Sequence, residues 1–251
     1  MFRILLISII VSLVLVSCAN NKQEFQDTDT EATKEVSSIS SNYIDEITFL
    51  GESTTYHLKS RGVLSDGTNT TQVWAPKSGT LMLDPSISDC RIIYPETREE
   101  ISLEEAIKRK KPKYMMLTFG LNGATTFIAR GENYFKSCYQ KLIDLIKTNS
   151  QSTKIIINSC FPIAKSMDMS RYTVSAAELN SYIKTLNEWA FQLANENKIY
   201  YIESAKALKD EDGYLKSSFQ APDGYHLNAD AYKCFLEYLT NNPIDWYGGL
   251  L

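Results

Sequence analysis

From Tyr43 onward, short apolar runs alternate with longer stretches of helical periodicity. Residues 44–50, 72–75, 114–119, 154–159 and 199–202 read as strands, being brief, apolar and bounded by polar or turn-forming residues. Helices are predicted at about 102–110, 132–149, 175–196 and 228–240. Ser102-Leu103-Glu104-Glu105 has the form of a capping box, and Pro112 stops the helix it opens. In the second helix Phe135, Cys138, Leu142 and Leu145 recur every three or four positions and mark one buried face. Strand and helix alternating in this way predict an α/β fold, a parallel sheet sandwiched between helical layers. No internal repeat and no second domain is visible.

The N-terminal part does not share this pattern. Arg3 precedes an apolar run from Ile4 to Val16, followed by Ser17-Cys18. A positive start, a short apolar core and a small residue before a cleavage point read as a secretory signal. Spanning a bilayer takes roughly 20 apolar residues, so the run is short for a permanent helix. Leu15-Val16-Ser17-Cys18 resembles a bacterial lipobox, which implies cleavage before Cys18, lipid on its sulfur and a membrane-anchored, extracytoplasmic protein. Residues 19–42 are rich in Asp, Glu, Asn, Ser and Thr and too poor in apolar side chains to offset the entropy of ordering. The expected organisation is therefore a signal at 1–17, a lipidated cysteine and tether at 18–42, and one folded domain at 43–251.

Composition narrows the function classes. With 26 Lys and Arg against 30 Asp and Glu, the net charge of -4 gives no basic footprint for nucleic acid. There is no His-Glu-x-x-His and no paired Cys-x-x-Cys, so the sequence offers no metal motif and gives no reason to invoke a cofactor.

Ligands of open parallel sheets collect at the carboxyl ends of the strands, and three segments there carry chemistry. Gly51-Glu52-Ser53 follows the first strand, placing a hydroxyl at a strand-to-helix turn, although a serine there can also simply cap the helix. Gly120-Leu121-Asn122 follows the third strand, where flanking glycines let the backbone approach a ligand and an amide donate into the cleft, or let the asparagine satisfy a local turn. Asp223-Gly224-Tyr225-His226 precedes the last helix. Aspartate and histidine three apart on a turn can align as acid and base, or act as a structural pair at the helix start.

Together these blocks resemble the SGNH hydrolases, also called GDSL esterases, over 44–239. The resemblance implies a flavodoxin-like five-stranded sheet and a catalytic triad of Ser53, Asp223 and His226. It also implies an oxyanion hole built from the N–H groups of Ser53 and Gly79 and the amide of Asn122. Glu52 stands where the family has aspartate; there the acid supports the loop and is not a triad member, so the extra methylene bears on loop geometry. The implied chemistry is two-step acyl transfer by an ester hydrolase, with no metal needed.

Other residues read more plainly. His57, four after Ser53, reads as an exposed helix residue or a substrate contact rather than the base. Cys90, Cys138, Cys160 and Cys234 admit three disulfide connectivities, yet the apolar settings of Cys138 and Cys234 favour free thiols. Cys160 is placed near the cleft. Packing explains Trp189, while Trp74 lies in a short strand and Trp246 in the tail. Residues 163–174, with Lys165, Arg171 and Tyr172, are the better candidates for substrate contact. The favoured substrate is an acylated, notably O-acetylated, carbohydrate. The alternatives are a lipase or lysophospholipase, and a non-catalytic glycan-binding lipoprotein; oligomeric state is left open.

Overall fold

The computed structural model describes residues 43–244, so the expected signal, the Cys18 anchor, the tether and Trp246 lie outside the described residues. Five strands form the main sheet: β1 (Ile47–Gly51), β2 (Val73–Trp74), β5 (Tyr114–Thr118), β6 (Lys154–Asn158) and β7 (Tyr200–Ile202). All are parallel, in the order β2-β1-β5-β6-β7. A separate antiparallel pair, β3 (Arg91–Ile93) and β4 (Glu100–Ser102), lies between β2 and β5 in the chain. The helices are α1 (Ser53–Ser60), α2 (Leu103–Lys110), α3 (Ala124–Arg130), α4 (Glu132–Asn149), α5 (Ala176–Asn197) and α6 (Ala229–Asn241).

The central strands read as unbroken apolar runs because both of their faces are covered. Leu50, Met115, Leu117, Ile155 and Ile157 point to one side, where they join Ile107 of α2, Phe127 of α3, Leu142 of α4 and Leu186 of α5 in one core. Their alternates, Phe49, Met116 and Ile156, point to the other side and pack with Leu58 of α1 and Tyr232, Phe235 and Leu239 of α6. The period of two along each strand thus sorts side chains between two cores and gives the three-layer sandwich.

Local signals fix the helix ends. Ser102 Oγ accepts from Glu105 N at 3.1 Å, capping α2, and Lys111 in the left-handed region closes it just before Pro112. A reciprocal box between Ser175 and Glu178 opens α5. Three features depart from the sequence expectation. Residues 43–45 form a helical turn, so β1 starts three residues later than the apolar run. The β3–β4 pair has only three residues a side, too few to show a period. Helix α3, seven residues with two threonines and an isoleucine, carries a β-branched content that masks it in sequence.

Register brings the carboxyl ends together: Gly51 pairs with Thr118, and Asn158 with Ile202. The order reverses between β1 and β5, and that switch point is where a parallel sheet of this kind opens a crevice. Among the described residues, no helix is long and apolar enough to cross a membrane.

Candidate active site

Gly51 ends β1 so tightly that a Cβ there would lie 2.2 Å from Thr55 Oγ1 and 2.5 Å from the Thr118 carbonyl. Only glycine lets the chain turn directly from β1 into α1 beside β5. Glu52 is the N-cap of α1 by backbone but makes no side-chain cap, and Ser53 is the first helical residue. As in any helix, the N–H at that position has no intrahelical acceptor, and it is left to face the crevice.

The loop after β5 is held by Glu52, which is 2% exposed. Its Oε1 accepts from Gly120 N at 2.9 Å and its Oε2 from Asn122 N at 3.0 Å. Burial pushes this carboxyl up to about 7, opposed by the amide hydrogen bonds from residues 120–122. The glutamate therefore spans to the loop with both oxygens, as the resemblance implies for the family's aspartate.

Asn122 is fixed in turn. Its Nδ2 donates to Thr80 Oγ1 at 3.0 Å, and its Oδ1 accepts from Tyr225 OH at 2.6 Å. The Thr80 hydroxyl is itself directed at the Leu81 carbonyl, 3.3 Å away, so it receives rather than gives toward Asn122. That leaves the second Nδ2 hydrogen for the crevice.

The segment before α6 forms a tight loop. Ala221 N donates to His226 O at 2.8 Å, and Gly224 N to Ala221 O at 2.9 Å. Gly224 has φ +67, and a Cβ on it would come 2.8 Å from Met167 Cα, so the Asp-x-x-His spacing depends on a glycine here. Asp223 Oδ1 accepts from the backbone N–H groups of Tyr225 and His226 at 3.0 and 2.9 Å, while Oδ2 lies 2.7 Å from His226 Nδ1. Nε2 of the same ring is 2.9 Å from Ser53 Oγ. Burial alone would raise the Asp223 carboxyl, but hydrogen bonds from the His226 ring and the two amides outweigh it and hold it below the ordinary value. An ionised Asp223 selects the Nδ1–H tautomer and leaves the Nε2 lone pair directed at Ser53.

A sequence model of the GDSL-like lipase/acylhydrolase family matches residues 49–234. The chain belongs to that family. It is accordingly a carboxylic ester hydrolase, and its sheet is the one the family shares. No curated relative matches the sequence. Among solved structures, the fold resembles a putative platelet activating factor from Streptococcus pneumonia, at 16% identity and TM-score 0.51, covering 89% of this chain and 99% of that one. It also resembles the periplasmic domain of a lipopolysaccharide acetyltransferase from Salmonella ser. Paratyphi A, at 18% identity and TM-score 0.52, over 80% and 84%. A catalytic mutant of an acetylxylan esterase from Geobacillus stearothermophilus aligns at 12% identity and TM-score 0.50, over 80% and 94%.

Set in this GDSL frame, the residues singled out in the sequence fall into two groups. Ser53, Asn122, Asp223 and His226 converge. Gly79 does not join them through its N–H, which donates to Pro76 O at 2.9 Å and closes a turn at φ +79. The residue of that loop that touches the others is Thr80. His57 is half-buried rather than exposed, with its ring centroid 4.5 Å from that of His226. Burial, then the neighbouring His226 and Arg61, hold it down to about 4, so its ring is neutral at neutral pH. All four described cysteines are free. Cys160 lies beneath the Gly120 loop, its Sγ directed at Phe119 O, and is buried instead of lining the crevice. Trp74 is fully buried, and Trp189 packs on Phe135. In the 163–174 loop, Lys165 is drawn off to Asp212, whereas Tyr172 is exposed and feels the charge of Asp223. Tyr225 and Thr80 were not foreseen: one is an unspecified position in a short motif, and the other is joined to Asn122 only by the fold.

Proposed function

We propose that this GDSL hydrolase removes acyl groups, chiefly O-acetyl, from carbohydrate, with Ser53 as nucleophile, His226 as base and Asp223 as the acid that orients it. The observation that carries the reading is the unbroken hydrogen-bond chain Ser53 Oγ to His226 Nε2 at 2.9 Å and His226 Nδ1 to Asp223 at 2.7 Å. His226 takes the Ser53 proton as Oγ attacks the ester carbonyl and delivers it to the departing alcohol; water then releases the acid by the same route. The oxyanion meets the N–H of Ser53 and the free hydrogen of Asn122 Nδ2. The resemblance assigns a third donor to Gly79, which requires the Pro76–Gly79 turn to open. The amide of Thr80, without a hydrogen bond among the described residues, is the alternative.

Two things favour a sugar ester over a long-chain lipid. The loop beside the triad presents polar groups such as Tyr172 and Arg171, and acetyl chemistry on glycans appears among structures of this fold. The lipobox-like segment around Cys18 supports a lipid-anchored protein on the extracytoplasmic side of the membrane.

A fluorophosphonate probe tests the nucleophile: labelling is expected at Ser53 and absent from Ser53→Ala. Binding of glycans without labelling would instead support a non-catalytic module. Acetylated sugars are expected to be better substrates than esters of long acyl chains, and the reverse order would indicate a lipase.

A further inference from the structure

A cavity of about 210 Å³ opens next to the crevice, between α1, the segment after β2 and the β3–β4 turn. Its walls are Tyr56, Pro76 and Pro95, and its charged residues are Lys59, Lys77 and Arg98. Among the described residues, no carboxylate lines it. Tyr56 stands one helical turn after Ser53, and its ring covers Gly79, where a Cβ would lie 3.0 Å from Tyr56 Cδ1. The loop that walls the cavity at residues 75–77 thus continues through Gly79 to Thr80 and its contact with Asn122.

The charges here are sorted. Around the β3–β4 pair, Glu96 is bound to Lys110 at 2.7 Å, Glu99 to Arg109 at 3.2 Å, and Glu100 approaches Arg91 at 3.9 Å. The acids of the turn are thereby committed to α2 and β3. Arg98 sits between them at φ +64, a backbone state that costs free energy for any residue with a Cβ, and takes part in no ion pair among the described residues. Lys59 and Lys77 likewise have none. Lys59 is half-buried, and burial and then the nearby Arg98 charge lower its affinity for a proton. Gathering like charges without a counterion is unfavourable, and it stands out in a chain of net charge -4 that has acids to spare. A bound anion relieves that repulsion.

We infer that this cavity is a subsite for an anionic group, carboxylate or phosphate, and that the ester attacked by Ser53 is therefore carried by an acidic sugar. The inference rests on the ester-hydrolase reading above and names its substrate class. The sugar's acylated hydroxyl lies over Ser53 while its anionic group passes Tyr56 to Lys59, Lys77 and Arg98. No step of the chemistry changes, since the subsite contributes binding and orientation.

The test compares acetylated glucose, acetylated glucuronic acid and acetylated glucose phosphate on the full chain and on the combined variant Lys59→Met, Lys77→Met, Arg98→Met. The wild type is expected to favour the acidic esters about ten-fold in kcat/KM, the worth of one partly screened charge contact, and the preference should shrink as salt is raised. The variant should lose the preference through KM while hydrolysing p-nitrophenyl acetate as before. Preference for both acids supports an anion site in general, and preference for one alone narrows it to that group. Equal rates on neutral and acidic sugars, a preference that survives in the variant, or a larger variant effect on a lysophospholipid than on the sugars would overturn the inference. Failure of the wild type on p-nitrophenyl acetate, with no probe labelling, would fell the esterase reading instead. Equilibrium binding of acetylated glucuronate to wild type and variant would then still decide the cavity: equal binding sinks it, and a ten-fold loss in the variant upholds it.

Discussion

Two carboxylates flank the proposed catalytic serine and are built in opposite ways. The Asp223 side chain is 52% exposed, and its hydrogen bonds outweigh burial and hold its carboxyl below the ordinary value. Glu52 is sealed beneath the loop it holds, and its burial makes charge costly. In the proposed mechanism Asp223 is required for its charge, which would stabilise the imidazolium formed during acyl transfer, and the fold leaves it where ionisation is cheap. Glu52 is required for its shape, as a bridge between two amides of residues 120–122, so the fold accepts an expensive site in return for rigidity. In the proposed mechanism the partly exposed carboxylate takes part in the chemistry, and the deeply buried one holds the loop that carries Asn122.

Replacing each carboxylate by its amide breaks the comparison most sharply. Asp223→Asn should lower kcat by about 10⁴-fold while leaving the thermal midpoint nearly unchanged, because an amide favours the wrong tautomer of His226. A drop of less than ten-fold would show that Asp223 is only a structural partner. Removing the donor that Glu52 positions comes next: Asn122→Ala should cost about 10²–10³-fold in kcat with KM little altered. Steady-state kinetics on p-nitrophenyl acetate would read both.

Glu52→Gln is expected to be milder. One amide of the loop would face an NH2 group in place of an oxygen, a loss of about 1–3 kcal/mol that appears as a fall of about 10–100-fold in kcat. The variant should also change the pH dependence of stability in a defined direction. A carboxyl whose folded value is raised from 4.5 to about 7 favours the fold most below 4.5, and that contribution declines as pH rises through 7. Urea midpoints across that window should therefore lose part of their slope in Glu52→Gln, and an unchanged slope would show that Glu52 does not titrate there.

These contrasts also mark what could be read from sequence. The convergence of Ser53, Asp223 and His226 was legible because Asp223 and His226 share one short turn and Ser53 follows a clear apolar strand, so local spacing carried most of the geometry. The parallel sheet was legible from apolar runs that stay apolar on both faces. The engagement of the Gly79 N–H was not legible, because the direction of a single N–H is decided by the turn it sits in, here by the Pro76 carbonyl, and no residue identity announces that. Tyr225 and Thr80 were missed because their partner, Asn122, lies far away along the chain. The β3–β4 pair was too short to show periodicity, and with it went the charge sorting around Arg98.

The smallest expected effect concerns His57, whose packing on His226 the sequence also hid. A histidine lowered from 6.5 to about 4 adds to stability above 6.5, and that contribution is lost as pH falls through this range. His57→Gln should change kcat at neutral pH by no more than a few-fold and should resist acid better between those values, as monitored by tryptophan fluorescence. A large loss of activity at neutral pH would place the ring within the proton path.

Tyr232 OH, on α6, donates to the carbonyl of Thr54 at 2.6 Å, pinning the final helix to the turn that bears the nucleophile. The proposed base, 173 residues along the chain from the serine, and the helix pinned here thus come from one segment. A chain clipped ahead of Asp223 would possess Ser53 without the acid and base proposed to activate it, so attack on nearby esters would wait for that segment to dock.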